Sequence, residues 1–157
     1  MSTPASNERY LEVLQALAKT RVRFAVFGSA ALLLRYPRLR TKHDLRDADL
    51  LLPRDSLPAF AAFIHARGGN VTAWNEPWTP ELDVTGRFYV RASLDGLQLD
   101  ATFETFLDLE AALQGATTCD GVPVCSDEVV WRAKFNKDAD AARAFAAEYG
   151  LTIPPRL

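Results

Sequence analysis

Cysteine is nearly missing from this chain of 157 residues, with only Cys119 and Cys125, and histidine is as scarce, with His43 and His65. Four scattered donors do not make the set that a structural zinc site needs. The two cysteines flank Asp120-Gly121, a two-residue hairpin signal that sets Cys119 opposite Val122 rather than Cys125. Two small strand residues in a reducing compartment are expected there, not a disulfide. No apolar run approaches the ~20 residues that span a bilayer. The opening, Met1 to Asn7, is polar and has no hydrophobic stretch of a secretory leader. A cytoplasmic location without a membrane partner is therefore expected. An excess of positive charge is also missing. The net charge is −2 and the pI about 5.7, which weighs against nucleic acid as a partner and leaves a local basic patch open. There are no repeats, low-complexity tracts or linkers.

What is present suits one folded domain over residues 1–157. Apolar residues make up 48%, enough for a sizeable core, and charged residues 24%, ordinary for a globular chain. Residues 8–19 place Tyr10, Leu11, Leu14, Leu17 and Ala18 at helical spacing. Val22 to Phe27 is β-rich and ends at Gly28-Ser29, and Ala30 to Arg35 favours helix, so the unit reads strand, turn, helix. Tyr36 to Arg46 reads as a loop, and Ala48 to Leu52 as a short buried strand. Asp55 or Ser56 can cap a helix to Arg67, closed by Gly68-Gly69. Val71 to Trp74 suggests a strand, and Asn75 to Gly86 irregular chain. Arg87 to Ala92 and Leu97 to Phe103 alternate around Asp95-Gly96, a hairpin. Thr105 to Leu113 reads as helix, followed by the small hairpin at Asp120-Gly121. Ser126 caps one long last helix over roughly 127–148. The expected class is α+β, a mixed central sheet of about five strands flanked by helices.

Three elements in order point to chemistry. Gly28-Ser29 lies between a strand and a helix, Asp47-Ala48-Asp49-Leu50 opens the next strand, and Asp100 sits within Leu97 to Thr102. Side chains alternate along a strand, so Asp47 and Asp49 share a face with Cα atoms about 7 Å apart. Asp100 is an acid between Leu99 and Ala101, where a charge is costly unless compensated. Three carboxylates brought together repel one another, and a divalent cation relieves that repulsion. Magnesium takes a few carboxylates and fills its remaining positions with water and phosphate oxygens. Gly28 allows close approach of a phosphate, and Ser29 offers a hydroxyl and an N–H at a helix start. An anion site beside a metal site describes phosphoryl or nucleotidyl transfer.

On these residues the chain resembles the nucleotidyltransferase superfamily of the DNA polymerase beta type. The matching stretches are Val26-Phe27-Gly28-Ser29, Asp47-Ala48-Asp49-Leu50 and Leu99-Asp100. Within it the chain looks most like small lincosamide and aminoglycoside nucleotidyltransferases and toxin-type relatives. Arg40-Thr41-Lys42-His43 and the closing helix with Lys134, Lys137, Asp138 and Asp140 are similar to stretches of those proteins. Three features depart from the pattern. Asp47 comes nineteen positions after Gly28, Asp44 offers a rival carboxylate, and Lys137-Asp138-Ala139-Asp140 is tightly spaced.

The resemblance implies an enzyme that moves a nucleoside monophosphate from a nucleoside triphosphate such as ATP to a hydroxyl of a small, antibiotic-like acceptor. Asp47, Asp49 and Asp100 would be catalytic and would hold two Mg2+ ions. Gly28, Ser29, Arg40, Lys42, Lys134, Lys137 and Asp138 would bind the nucleotide. A toxin-type enzyme acting on RNA or protein is the alternative, as is a non-catalytic relative that binds nucleotide or a partner. The irregular Asn75 to Gly86 stretch, with Trp78, Glu76, Glu81 and Asp83, is expected near the acceptor. A second copy of the chain, in a homodimer, could complete that site.

Overall fold

The computed structural model describes residues 4–103 and 108–155. The first helix, α1 (Pro4–Ala18), buries Tyr10, Leu14 and Leu17, the apolar stripe that the sequence displays. Strand β1 (Ala25–Phe27) runs into α2 (Gly28–Arg35) with no linker, and a 3-10 turn (Pro37–Thr41) follows. Next come β2 (Ala48–Leu51), α3 (Leu57–Ala66), β3 (Asn70–Ala73) and the two-residue strand β4 (Glu76–Pro77). The hairpin β5 (Tyr89–Leu94) and β6 (Leu97–Thr102) turns at Asp95-Gly96, both at positive φ, as a two-residue turn of this type requires. After α4 (Leu109–Gln114) a second hairpin, β7 (Thr117–Cys119) and β8 (Val122–Val124), pairs Cys119 with Val122 as expected. Both cysteines are free thiols, and burial pushes the Cys125 thiol up to about 12, which keeps it protonated and unreactive.

The class is α+β as the pattern suggested, but the sheet has eight strands rather than about five, in the order β4-β3-β5-β6-β2-β1-β8-β7. Two of the extra strands, β7 and β8, are the expected small hairpin, which joins the sheet through β1, and the third, β4, has two residues, too short for alternation to announce it. The central pairings decide the site. β1 runs antiparallel to β2, and β2 runs parallel to β6. Helix α3 packs on β3 and β5, whose buried residues are Val71, Ala73, Val90, Ala92 and Leu94. The alternate residues of β5, Arg91 and Ser93, are exposed, so the outer part of the sheet keeps one polar open face.

The closing helix is two helices. α5 (Asp127–Lys137) begins at Ser126, whose hydroxyl accepts from the Val129 N–H as expected. It stops at Asp138, which takes an extended conformation and caps α6 (Ala139–Tyr149) by accepting from the Ala141 N–H at 3.0 Å. An aspartate competes well as a cap and poorly as a helix-interior residue, which is the physical cause of the break. The helix expected from Thr105 begins at Leu109; residues 104–107 lie outside the described residues.

Candidate active site

β2 and β6 lie in parallel register with Asp49 beside Asp100. Asp47 stands two residues before Asp49 and on the same face. One ligand oxygen from each of Asp47, Asp49 and Asp100 lies within 4.8 Å of the others. This is the one such group of potential metal ligands among the described residues. Asp44 is exposed and stays outside it.

The glycine turn is built against this cluster. Phe27 pairs with Asp49 across β1 and β2, so Gly28 follows directly beside that carboxylate. Gly28 has φ +69°, and a Cβ there would lie 2.7 Å from Asp49 Oδ2. Both the backbone conformation and the close approach require glycine. Ser29 opens α2, and its hydroxyl accepts from Lys134 Nζ at 3.0 Å. Lys134 also lies over the Phe145 ring, 4.4 Å from its centroid. Burial lowers the Lys134 pKa, and the charges of Asp49 and Asp47 oppose that shift.

The acids show the electrostatic cost of their meeting. Burial raises Asp49 to about 7, with the charges of Asp47 and Asp100 adding to it. Asp47 is raised by burial and then by Asp100. Lys137 and Lys134 act in the opposite sense on both. These hard oxygen donors, carrying excess negative charge, fit a divalent cation such as Mg2+.

An open cleft of about 630 Å³ contains Gly28, Ser29, Asp47, Asp49, Asp100, Lys134 and Lys137 in its lining, so seven of the ten residues singled out from sequence come together. Three do not line it. Lys42 lines a neighbouring recess that shares Ser29 and Asp47 with the cleft. Arg40 is tied elsewhere: it donates to the Leu33 carbonyl at 2.9 Å and pairs with Asp120 at 2.6 Å, bracing α2 against the β7–β8 hairpin. Asp138 caps α6 and is exposed, and Lys134 bonds Ser29 instead of pairing with it.

The charged cleft residue that escaped the sequence reading is Arg91. Arg91 on β5 pairs with Asp100 in the ladder, and its guanidinium donates to both carboxylate oxygens, at 3.0 and 3.4 Å. The signal was available. A two-residue turn at Asp95-Gly96 matches Leu94 with Leu97, and counting back three places matches Arg91 with Asp100. The long segment before Asp47 also has its reason. The buried Asn7 amide donates to the carbonyls of Arg40 and His43 at 2.8 and 2.7 Å and accepts from the Leu45 N–H at 2.9 Å. The Tyr10 hydroxyl donates to the Arg46 carbonyl and accepts from the Gln98 N–H, both at 3.1 Å.

No protein-family model matches the sequence, and neither does any curated protein. Solved structures do match. A proposed nucleotidyltransferase from Thermotoga maritima superposes with a TM-score of 0.61 at 14% identity, over 94% of this chain and 96% of that one. ANT(2'')-Ia in complex with adenylyl-2''-tobramycin gives 0.58 at 20% identity, over 87% of this chain and 78% of that one. The solution structure of the same antibiotic-resistance factor gives 0.58 at 21% identity, over 84% and 71%. The chain therefore has the nucleotidyltransferase fold. No helix among the described residues is long and apolar enough to cross a membrane.

Proposed function

We propose that this protein is a nucleotidyltransferase that uses a divalent cation to move a nucleoside monophosphate from a nucleoside triphosphate to a hydroxyl of a small acceptor. One observation carries the reading: three carboxylates within 4.8 Å face a Gly-Ser turn and two lysines across one cleft. ANT(2'')-Ia, a protein of the same fold, is known in complex with an adenylylated antibiotic, which supports a small-molecule acceptor here.

Asp47, Asp49 and Asp100 would hold Mg2+, one or two ions, which when bound neutralises the gathering charge on the phosphates and on the attacking oxygen. The chain's own groups then have clear tasks. Ser29 and the start of α2 present a hydroxyl and N–H groups to the terminal phosphates. Lys134 and Lys137 add positive charge on the same side. Asp100, held by Arg91, would take the proton of the acceptor hydroxyl. The acceptor oxygen forms a bond to the α-phosphorus, the bond from that phosphorus to the β-phosphate oxygen breaks, and pyrophosphate leaves. Lys42 and Arg46, in the adjoining recess, suit the outer phosphates. The triphosphate and Mg2+ point to work in the cytoplasm.

The test is ATP and GTP binding by calorimetry with and without Mg2+, in the wild type and in Asp49→Asn. Binding that needs Mg2+ and weakens at least about tenfold in Asp49→Asn, roughly 1.4 kcal/mol, is the expected outcome. Binding indifferent to Mg2+ and to the substitution would instead identify a non-catalytic nucleotide binder.

A further inference from the structure

The ladder that brings the acids together stops one residue short of Asp47. β2 and β6 pair from Ala48 with Leu99 to Leu51 with Thr102. Just past that end the Leu52 N–H donates to the Thr102 carbonyl at 2.9 Å. In a parallel pair every second residue of one strand makes the bonds on both sides, so the bonding residues of β6 are Gln98, Asp100 and Thr102. One step below Ala48, Asp47 falls opposite Gln98, and the next bond of the ladder would run from the Gln98 N–H to the Arg46 carbonyl.

The Tyr10 hydroxyl stands in that bond. It accepts from the Gln98 N–H and donates to the Arg46 carbonyl, each at 3.1 Å. Its ring is buried on the face of α1 that also carries Leu14 and Leu17. Burial raises the Tyr10 pKa, and the charges of Asp47 and Asp100 add to it, so the hydroxyl keeps the proton that it donates. Neighbouring strands of an unbroken ladder lie about 4.7–4.9 Å apart. A hydroxyl spliced into a rung holds the chain at Asp47 farther than that from β6. The same hydroxyl fixes the other side as well, since it holds the backbone of Gln98, whose side-chain amide donates to Asp100 Oδ2 at 3.4 Å. Water could satisfy the two backbone groups. A tyrosine anchored in the core does more, because it sets the width of the gap.

We propose that Tyr10 is a positioning residue for the cation: its hydroxyl, spliced between the two aspartate-bearing segments, sets the separation of Asp47 and Asp100 at which they share a divalent ion. This rests on the cation site of the transferase reading given above. Without the hydroxyl, the segments either close by one rung, which draws Asp47 toward Asp100, or leave Arg46 and Gln98 to water, which frees Asp47 to move. In both cases the carboxylate oxygens lose the spacing that the ion needs. Groups that hold metal ligands from behind cost roughly 10–100-fold in affinity when removed.

The test is the Mn2+ affinity of the full chain, read by electron paramagnetic resonance. Tyr10→Phe keeps the buried ring and removes only the hydroxyl, and its Kd is expected to rise about tenfold. Leu14→Ala loosens the same face of α1 without touching the rung, and its Kd is expected to stay within about twofold of wild type. Hydrogen exchange in the wild type gives a second reading that needs no variant. Mg2+ is expected to slow exchange of the Gln98 amide at least about threefold, because an ion that holds Asp47 and Asp100 steadies the rung between them. A Tyr10→Phe Kd equal to that of wild type, an equal loss in Leu14→Ala, or Gln98 exchange indifferent to Mg2+ would overturn the proposal. Failure of the transferase reading shows separately, as wild-type protein that binds no Mn2+.

Discussion

Asp49 carries the clearest signature of a site built for a ligand rather than for stability. Its carboxyl titrates near 7 in the folded chain and near 3.8 when unfolded, so between those values the folded state binds the extra proton. The contribution of Asp49 to the stability of the metal-free protein therefore falls as pH rises from about 4 to 7, and its full cost is present at pH 8. Asp49→Asn removes the ionisation. It should stabilise the metal-free protein at pH 8 by on the order of 1–4 kcal/mol, seen as a raised Tm, and change it little near pH 4. Thermal denaturation at the two pH values in EDTA checks this, and a Tm difference that does not change with pH would refute it. Gly28 gives the complementary case. Gly28→Ala sets a Cβ 2.7 Å from Asp49 Oδ2 at φ +69°, so it should cost about 1–3 kcal/mol by urea denaturation. It should also weaken metal binding by displacing that carboxylate.

At the scale of elements, α1 acts as the brace of the aspartate strand. Asn7 satisfies three backbone groups of the 40–45 segment and is itself buried. Asn7→Ala leaves those groups without partners and should destabilise the fold by about 2–4 kcal/mol in urea denaturation. An unchanged midpoint would show that water replaces the amide. The elements also show what the sequence could disclose. Strand-turn-helix at Gly28-Ser29, both Asp-Gly hairpins and the Ser126 cap were legible because each rests on local conformational preference. The break at Asp138 was half legible: an aspartate in a helical run can either solvate a side chain or cap a new helix, and packing decides. β4, β7 and β8 are too short to show a period, and β8 joins the sheet by lying parallel to β1, a contact between residues about a hundred positions apart.

The whole molecule is one sheet whose inner half gathers charge and whose outer half presents an open face. The three acids were legible because an Asp-x-Asp strand and an acid inside an apolar strand each need compensation. Their convergence was not, since it depends on β6 lying beside β2. Arg91 and Arg40 take their surroundings from that same assembly, which explains why one was missed and the other, expected at the nucleotide, does not line the cleft. The arrangement also defines the most direct test. Mn2+, which reports its own binding by electron paramagnetic resonance, should bind the wild type and lose at least about tenfold in affinity in Asp47→Asn, Asp49→Asn and Asp100→Asn alike. Asp44→Asn, an acid close in sequence but outside the cluster, should bind as the wild type does. Equal affinity across all four variants would contradict a shared cation site and the transfer chemistry that depends on it.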